Sequence, residues 1–267
     1  MARKKPSVSF IGAGNVAHHL SHHLDKKKFS IQFIYTRSIA SGRKLALQVG
    51  GVATSSLKKL KQSDYIIIAV SDDAISSVVG AIVAAFKESY KGVIAHTAGS
   101  VSTDELGRVG SNYGSFYPLQ TFSKSRKIEF SKVPFFITGN HEQSTAMLEK
   151  LASNYSDEVE VISDEDRGRL HLAAVILNNF INHLIYVSDN YLDQHGLKVE
   201  HLYPLIEETI LKSKSMKPRD AQTGPARRGD MNVIHGHIKT LSKSPQLKKI
   251  YKTLSQSILK EYDENNS

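Results

Sequence analysis

Residues 7–20 read SVSFIGAGNVAHHL and contain the pattern that decides the fold. An apolar, strand-like run ends at Gly12, and a stretch of helical composition begins at Asn15. Gly12, Gly14 and Ala17 between them form the pattern G-x-G-x-x-A. The first glycine permits a tight turn, the second lets backbone amides approach a phosphate, and the small third residue lets the helix pack on a sheet. The pattern predicts a strand–turn–helix unit that binds a dinucleotide at the amino end of its helix.

The chain up to residue 163 continues this alternation of strand-like and helical segments. Strands are predicted at residues 7–12, 31–36, 64–70, 92–97, 113–119, 134–139 and 158–163. Helices are predicted at residues 15–25, 40–48, 72–87 and 141–154. Apolar strands separated by helices indicate a parallel sheet covered on both faces. Residues 1–163 are therefore predicted to form an α/β domain with a Rossmann-type, doubly wound, mainly parallel sheet.

Beyond Ser163 no further strand-like run appears, and residues 164–267 are predicted to form an all-α domain. Its helices are expected at residues 164–195, 199–216, 230–242 and 245–263, with a loop rich in proline and glycine before the third. The first of these helices is apolar almost all round, which is typical of a buried central helix.

Composition excludes several classes of function. The 267 residues include no cysteine, which excludes disulfides and thiolate metal sites and fits a reducing cytoplasm. The net charge of +9 is spread along the chain without interleaved aromatic residues, so we predict a basic surface and no nucleic-acid partner. Uninterrupted apolar runs fall short of the roughly 20 residues that span a bilayer, and the N-terminal run lacks a signal peptide's features. We expect a cytoplasmic protein that is not inserted in a membrane.

The end of the second strand indicates which dinucleotide binds. An acidic residue there would bind the ribose hydroxyl of NAD, but the sequence is YTRSIASGRK, with Arg37 and no acid. Arginine matches phosphate oxygens, so NADP (NADPH) is the predicted cofactor, with a solvent-facing arginine as the alternative. The predicted cofactor-binding residues are Gly12, Ala13, Gly14, Asn15, Val16, Thr36, Arg37, Ser38, Val70, Ser71 and Thr97.

Four histidines, His18, His19, His22 and His23, form two i, i+4 pairs that resemble a metal-binding arrangement. In a helix that packs Ala17 against the sheet, these histidines fall on other faces. No carboxylate lies among them, and zinc would need a third ligand from elsewhere. We therefore predict a solvated histidine face and no metal.

Polar residues follow several predicted strands, where ligands bind in sheets of this type. Tyr117 and His96 are predicted catalytic residues, and Ser100 and Gln120 are predicted substrate-binding residues, although ordinary loop chemistry would explain each one. Asp72 is interpreted as the N-cap of the following helix.

The C-terminal half adds further candidates. His171, Asn178 and Asn182 are spaced i, i+7 and i+11 on the long helix, so they are predicted to share one stripe, with His171 as the catalytic acid or base and Asn178 as a second catalytic residue. Asn182 is assigned to the substrate. Arg227 or Arg228 is predicted to hold a substrate carboxylate or phosphate, with a rigid interdomain or dimer-contact turn as the alternative.

Taken together, FIGAGNVAHHL, IYTRS, IIIAVSDDAI, HTAGS, YPLQTF, LNNFINHL and TGPARRGD resemble a little-characterised bacterial family of NADP oxidoreductases. In that family a Rossmann-like domain precedes a helical domain similar to the C-terminal domain of 6-phosphogluconate dehydrogenase. The broader superfamily includes pyrroline-5-carboxylate reductase, prephenate dehydrogenase and the β-hydroxyacid dehydrogenases. The resemblance implies NADP at Gly12, Gly14 and Arg37, a site between the domains and a homodimer formed through the helices.

The sequence departs from its better-known relatives at two positions. β-Hydroxyacid dehydrogenases carry a catalytic lysine early in the long helix, where this chain has Arg167, Arg169 and His171. Prephenate dehydrogenases place a histidine at the position of Tyr117. Two hypotheses follow: an NADP-dependent oxidoreductase acting on a small, anionic carbonyl, imine or hydroxyacid, or a catalytically silent NADP-binding sensor or scaffold.

Overall fold

The computed structural model describes residues 5–86 and 90–263, and these form two compact units that divide between Val175 and Ile176. The first unit is built on one eight-stranded sheet. Its strands are β1 (Ser7–Ile11), β2 (Ser30–Tyr35), β3 (Val52–Thr54), β4 (Tyr65–Ile68), β5 (Tyr90–His96), β6 (Gly110–Pro118), β7 (Phe135–Gly139) and β8 (Val159–Val161). Its helices are α1 (Asn15–His23), α2 (Ile39–Val49), α3 (Asp72–Phe86), α4 (Glu142–Ala152) and α5 (Asp164–Ala174).

The strand order is β3-β2-β1-β4-β5-β6-β7-β8, and every neighbouring pair is parallel except β6 with β7. The direction of winding reverses between β1 and β4, which places a crevice at the carboxyl ends of these two strands. The predicted Rossmann-type, mainly parallel sheet is therefore confirmed. The short strand β3 was not predicted, because its three residues carry too little pattern. The last residue of the predicted helix 72–87 lies outside the described residues.

Both faces of the sheet are buried, as β4 shows most clearly. Tyr65 and Ile67 pack into the apolar layer on one face, and Ile66 and Ile68 pack into the layer on the other. A strand covered on both sides needs apolar residues at every position, which explains the uninterrupted run YIII.

The helix Asp164–Asp193 comprises α5, a π-helical segment (Val175–Phe180) and α6 (Ile181–Asp193). The prediction that this helix is buried is wrong for the single chain, in which Leu172 is 62% and Leu177 is 68% exposed. An apolar pattern shows that a helix favours a covered environment, but it does not show what covers it. By length and composition the same helix could also cross a membrane.

The second unit is helical, as predicted. Besides α6 it contains α7 (Tyr203–Ser215), α8 (Pro218–Ala221), α9 (Pro225–Arg228), α10 (Met231–Thr240) and α11 (Pro245–Glu261). The single-turn helices α8 and α9 lie in the segment predicted to be a loop, and each begins at a proline, whose fixed φ suits a first helical residue.

Candidate functional site

The glycine turn after β1 is shaped by crowding on one side and open space on the other. Gly12 has φ +112°, and a Cβ placed there would overlap the carbonyl oxygen of Ala69. Its amide donates to the Tyr35 carbonyl at 2.9 Å, which holds the turn against β2. A Cβ on Gly14, by contrast, would meet no atom within 4 Å. Only glycine suits the first position, and the second leaves room for a ligand beside the backbone.

Helix α1 begins immediately after this turn. Gly14 occupies its N-cap position without a side-chain cap, and the first turn carries no acidic residue. Its leading amides therefore keep the partial positive charge that favours an anion. The residues present fit the pyrophosphate of a dinucleotide.

A cavity of about 650 Å³ opens in front of this turn. Its volume lies within the range of sites for small molecules and cofactors. Every predicted cofactor-binding residue except Thr97 lines it. Other residues that line the cavity were not predicted, because apolar wall positions resemble ordinary core; among them are Tyr35, Leu57, Val78 and Ala81.

Arg37 lies on the wall of this cavity beyond the end of β2. It is exposed and forms no hydrogen bond or ion pair within the described part of the chain. The Thr36 hydroxyl donates to the Ser38 carbonyl at 2.6 Å and shapes the loop that carries the arginine. Arg37 therefore presents an uncompensated positive charge to the cavity.

A loop that follows β6 covers the histidine face of α1. The His19 ring contacts Phe122, and its Nε2 lies 2.9 Å from the Ser123 carbonyl. Burial, together with the neighbouring histidines His22 and His19, lowers the pKa of His18 to about 4. The prediction of a solvated face holds for His22 and His23 but is wrong for His19, which is buried by residues about a hundred positions along the chain. Within the described ranges no group of three histidine, cysteine or acidic residues could hold a metal.

Tyr117 and His171 form a hydrogen-bonded pair, with 2.9 Å between the phenol oxygen and Nδ1. Tyr117 extends from β6, and His171 extends from α5. The His171 ring lies directly against Gly99, where any Cβ would overlap it. Burial and the charge of Asp72 raise the pKa of Tyr117, so its phenol stays protonated near neutral pH. The pair combines a phenol with an imidazole, which together can donate a proton.

A buried ion pair anchors the start of α5 one turn before His171. The Arg167 guanidinium is 1% exposed and lies 2.5 Å from Asp164. It also donates to Thr138 Oγ1 at 2.9 Å and to the Val101 carbonyl. Asp164 accepts from the Thr103 amide at 2.7 Å. Partial burial raises the pKa of Asp164, but the Thr103 amide and Arg167 outweigh this effect and hold that pKa below its usual value.

The remaining candidates beside the sheet fall into different environments. His96 is completely buried, its Nδ1 accepts from the Ala98 amide at 3.2 Å, and burial together with Arg167 lowers its pKa to about 4. Because His96 is neutral and out of contact with solvent, its placement argues against the predicted catalytic role. The Thr97 amide donates to the Ile68 carbonyl at 3.1 Å, and the exposed Gln120 accepts from the Thr121 amide at 2.7 Å.

Asp72 is not the N-cap of α3, and that interpretation is wrong. It is the first residue of the helix, and its Oδ2 accepts a hydrogen bond from Ser100 Oγ at 2.5 Å. The contact joins the start of α3 to the loop after β5, so it depends on strand order and has no local sequence signal.

The predicted polar stripe on the long helix is interrupted. The π-helical residues add one residue to a turn, so the i+7 and i+11 spacing from His171 no longer follows one line. The positions in line with His171 are therefore one residue further along the chain, at Asn179 and His183. Asn178 and Asn182 are both exposed, and Asn178 Nδ2 donates to Asn179 Oδ1 at 2.9 Å. Their roles stay predictions.

The two arginines of the second unit have partners within that unit. Arg228 pairs with Asp230 at 2.8 Å, and Arg227 lies over the Tyr262 ring at 4.3 Å from its centroid. Asp230 occupies the N-cap position of α10, as predicted, although its side chain does not cap the helix. A substrate-binding role for either arginine stays a prediction.

Comparison with known families matches both parts of the chain. Residues 7–99 match the family described as "NADP oxidoreductase coenzyme F420-dependent", and residues 133–258 match a domain of unknown function, DUF2520. The chain matches no curated protein.

Among solved structures, a Bacteroides fragilis protein described as a "putative NADP oxidoreductase" is 36% identical. The match covers 96% of this chain and 98% of that one, with a TM-score of 0.87. Pyrroline-5-carboxylate reductase from Coxiella burnetii is 18% identical over 98% of both chains, with a TM-score of 0.58. Reductive aminase from Aspergillus terreus, solved with NADPH and ethyl levulinate, is 13% identical over 97% of this chain and 95% of that one, with a TM-score of 0.72.

These similarities confirm the resemblance inferred from the motifs. The chain belongs to the NADP oxidoreductase family in which a Rossmann-type domain is followed by a DUF2520 domain.

Proposed function

We propose that this protein is an NADP-dependent oxidoreductase that moves a hydride to or from a small carbonyl, imine or hydroxyacid substrate. The observation that carries the proposal is that the glycine turn, Arg37 and the end of β4 line a single cavity. When bound, NADPH would supply the hydride, and the protein would supply binding, orientation and a proton.

Each end of the cavity suits a different part of the cofactor. The amides at the start of α1 would hold the pyrophosphate, and the Arg37 guanidinium would hold the 2′-phosphate. Val70 and Ser71 line the cavity at the end of β4, which is the side assigned to the nicotinamide. The Tyr117–His171 pair would give the proton. Ser71 on the cavity wall precedes Asp72, and Asp72 accepts a hydrogen bond from Ser100. The residue before Ser100 is Gly99, which lies against the His171 ring, so these contacts link the cavity wall to the pair.

A titration of NADPH and NADH against the wild type and Arg37→Ala tests the cofactor proposal. We expect the wild type to bind NADPH more tightly than NADH, because only NADPH carries the 2′-phosphate. Arg37→Ala should weaken NADPH binding about tenfold, equivalent to about 1.4 kcal/mol, and leave NADH binding unchanged.

Lys150→Ala is the matched control and should leave the binding of both nucleotides unchanged, since Lys150 is an exposed cation of α4 that does not line the cavity. Equal losses for both nucleotides in Arg37→Ala would contradict the assignment. A wild type that binds neither nucleotide, or that binds coenzyme F420 instead, would overturn the proposed cofactor.

We also propose that the helical region forms a homodimer. In the single chain many large apolar side chains of the second unit are exposed, including Leu205 at 65% and Leu211 at 60%. Exposed apolar surface on this scale is typical of a protein interface. A second copy of the chain is the proposed partner.

A cytoplasmic location is also proposed, because the chain contains no cysteine.

Light scattering on the purified protein tests the dimer. We expect a mass of twice the 29.6 kDa chain at micromolar concentration. Leu205→Lys should shift the mass toward one chain, because a lysine ammonium is costly to bury at an apolar interface. A wild-type mass of one chain would contradict the proposal.

A further inference from the structure

We propose that the Asp72 carboxylate binds the cationic nitrogen of a protonated imine beside the Tyr117–His171 pair, so that the substrate reacts as an iminium ion. This inference rests on the proposed oxidoreductase function and narrows its substrate class.

The first support is the position of Asp72. It directly follows Ser71, which lines the cofactor cavity, and it accepts a hydrogen bond from Ser100 at 2.5 Å. The residue before Ser100 is Gly99, against which the His171 ring packs. Asp72 is therefore next to the cavity wall in the chain, and it is hydrogen-bonded to the loop against which the His171 ring packs.

The second support is that this carboxylate is available. Asp72 and Ser100 are both exposed, and only Oδ2 of Asp72 is engaged by Ser100. Oδ1 has no hydrogen-bond partner in the described part of the chain. A carboxylate with one oxygen fixed and the other free is oriented to accept an N–H from a ligand.

The third support is the balance of charge around the pair. Burial is the largest cause of the raised pKa of Tyr117, and the charge of Asp72 raises that pKa further. The charge of Arg167 lowers it. Arg167 is fully buried and paired with Asp164, so a ligand cannot reach it. The other charged group on this turn of α3 is Asp73, which is also exposed. Of the two charged groups that act on Tyr117, only the negative one, Asp72, is therefore accessible to a ligand.

A negative charge at this position affects carbonyl and iminium substrates differently as hydride acceptors. Hydride addition to a neutral carbonyl places negative charge on oxygen, which a nearby carboxylate would destabilise. A protonated imine is attracted to the carboxylate before reaction, and the carboxylate also favours its protonated form. The arrangement suits an iminium ion better than a ketone.

The chemical step balances with NADPH as the reductant. The imine carbon gains the hydride, the π electron pair of the C=N bond moves onto nitrogen, and the neutral amine forms while NADPH is oxidised to NADP⁺. The amine nitrogen then takes a proton from the Tyr117–His171 pair, which solvent replenishes. Asp72 takes no part in the proton transfer and acts only by binding the positive charge of the substrate.

Calorimetric titration of the full chain saturated with NADP⁺ tests the inference, with pyrrolidinium chloride and sodium cyclopentanecarboxylate as the probes. We expect pyrrolidinium to bind, and Asp72→Asn to weaken its binding about tenfold, because the amide keeps the shape and the Ser100 contact but loses the charge. Cyclopentanecarboxylate binding should not weaken in this variant.

Asp73→Asn is the matched control, since it removes the adjacent carboxylate of the same helix turn, and it should leave pyrrolidinium binding unchanged. The inference is overturned if pyrrolidinium does not bind, if it binds Asp72→Asn as tightly as the wild type, or if both variants lose affinity equally.

A kinetic comparison separates this inference from the proposed function. With 2-methyl-1-pyrroline and cyclopentanone as substrates, we expect a larger kcat/KM for the imine and a loss for the imine alone in Asp72→Asn. NADPH binding should be the same in both proteins. If the wild type failed to bind NADPH the proposed function would fall, whereas normal NADPH binding with a preference for the ketone would overturn only the role of Asp72.

Discussion

Replacing Gly12 by alanine is expected to abolish NADPH binding and to destabilise the first unit. The alanine Cβ would overlap the Ala69 carbonyl oxygen, and residues that carry a Cβ rarely adopt the backbone φ of +112° found at this position. Strain of this kind costs about 1–3 kcal/mol before any backbone clash is counted. We expect NADPH affinity to fall by about 100-fold or more, equivalent to about 2.7 kcal/mol, together with a lower midpoint in urea.

Gly14→Ala is the informative comparison for this variant. Its φ is −73°, and the added Cβ meets no protein atom within 4 Å, so the fold should be unaffected. The methyl group instead occupies the space through which a pyrophosphate would approach the backbone. We expect unchanged stability with weakened NADPH binding. Normal NADPH affinity in both variants would show that the cofactor does not lie on this turn.

Replacing His171 by alanine is expected to lower the rate of turnover by about 10²–10⁴-fold, the usual contribution of a positioned acid or base. NADPH binding should be preserved, because His171 contacts Tyr117 and Gly99 and does not line the cofactor cavity. Tyr117→Phe keeps the ring and removes only the hydroxyl, so it should lower the rate less and shift the pH profile.

His22→Ala serves as the control, since His22 is an exposed histidine on α1. Rates should be measured with a panel of keto acids, imines and hydroxyacids. Full activity in His171→Ala would exclude this histidine as the proton donor. Tight NADPH binding by the wild type without turnover of any compound would favour the sensor or scaffold hypothesis.

The nucleotide-binding half of the candidate site could be inferred from sequence because its determinants are local. Gly12, Gly14 and Ala17 lie within six consecutive positions, and each constrains the backbone of its own turn. Arg37 was identifiable because it follows a strand whose end is known to face the ribose. The roles of such residues can be inferred from the sequence without information about distant parts of the chain.

The half of the candidate site that contains Tyr117 and His171 depended on contacts between residues far apart in the chain. Tyr117 and His171 were each selected as candidates, but their hydrogen bond joins positions 54 residues apart. Asp72 was interpreted as a cap because its partner Ser100 is 28 residues away. His96 was also selected as a candidate, but its complete burial has no local sequence signal.

From the sequence alone we could predict every strand except β3, the helices between the strands, the glycine turn and Arg37 as the candidate phosphate ligand, because periodicity and turn chemistry act over a few residues. The tertiary structure decided which polar side chains meet, since the order of the strands in the sheet brings the ends of β4, β5 and β6 side by side. It also showed that the apolar helix Asp164–Asp193 is exposed in a single chain. A hydrophobic pattern indicates how much of a helix surface favours burial, whereas the tertiary structure decides which surface covers it.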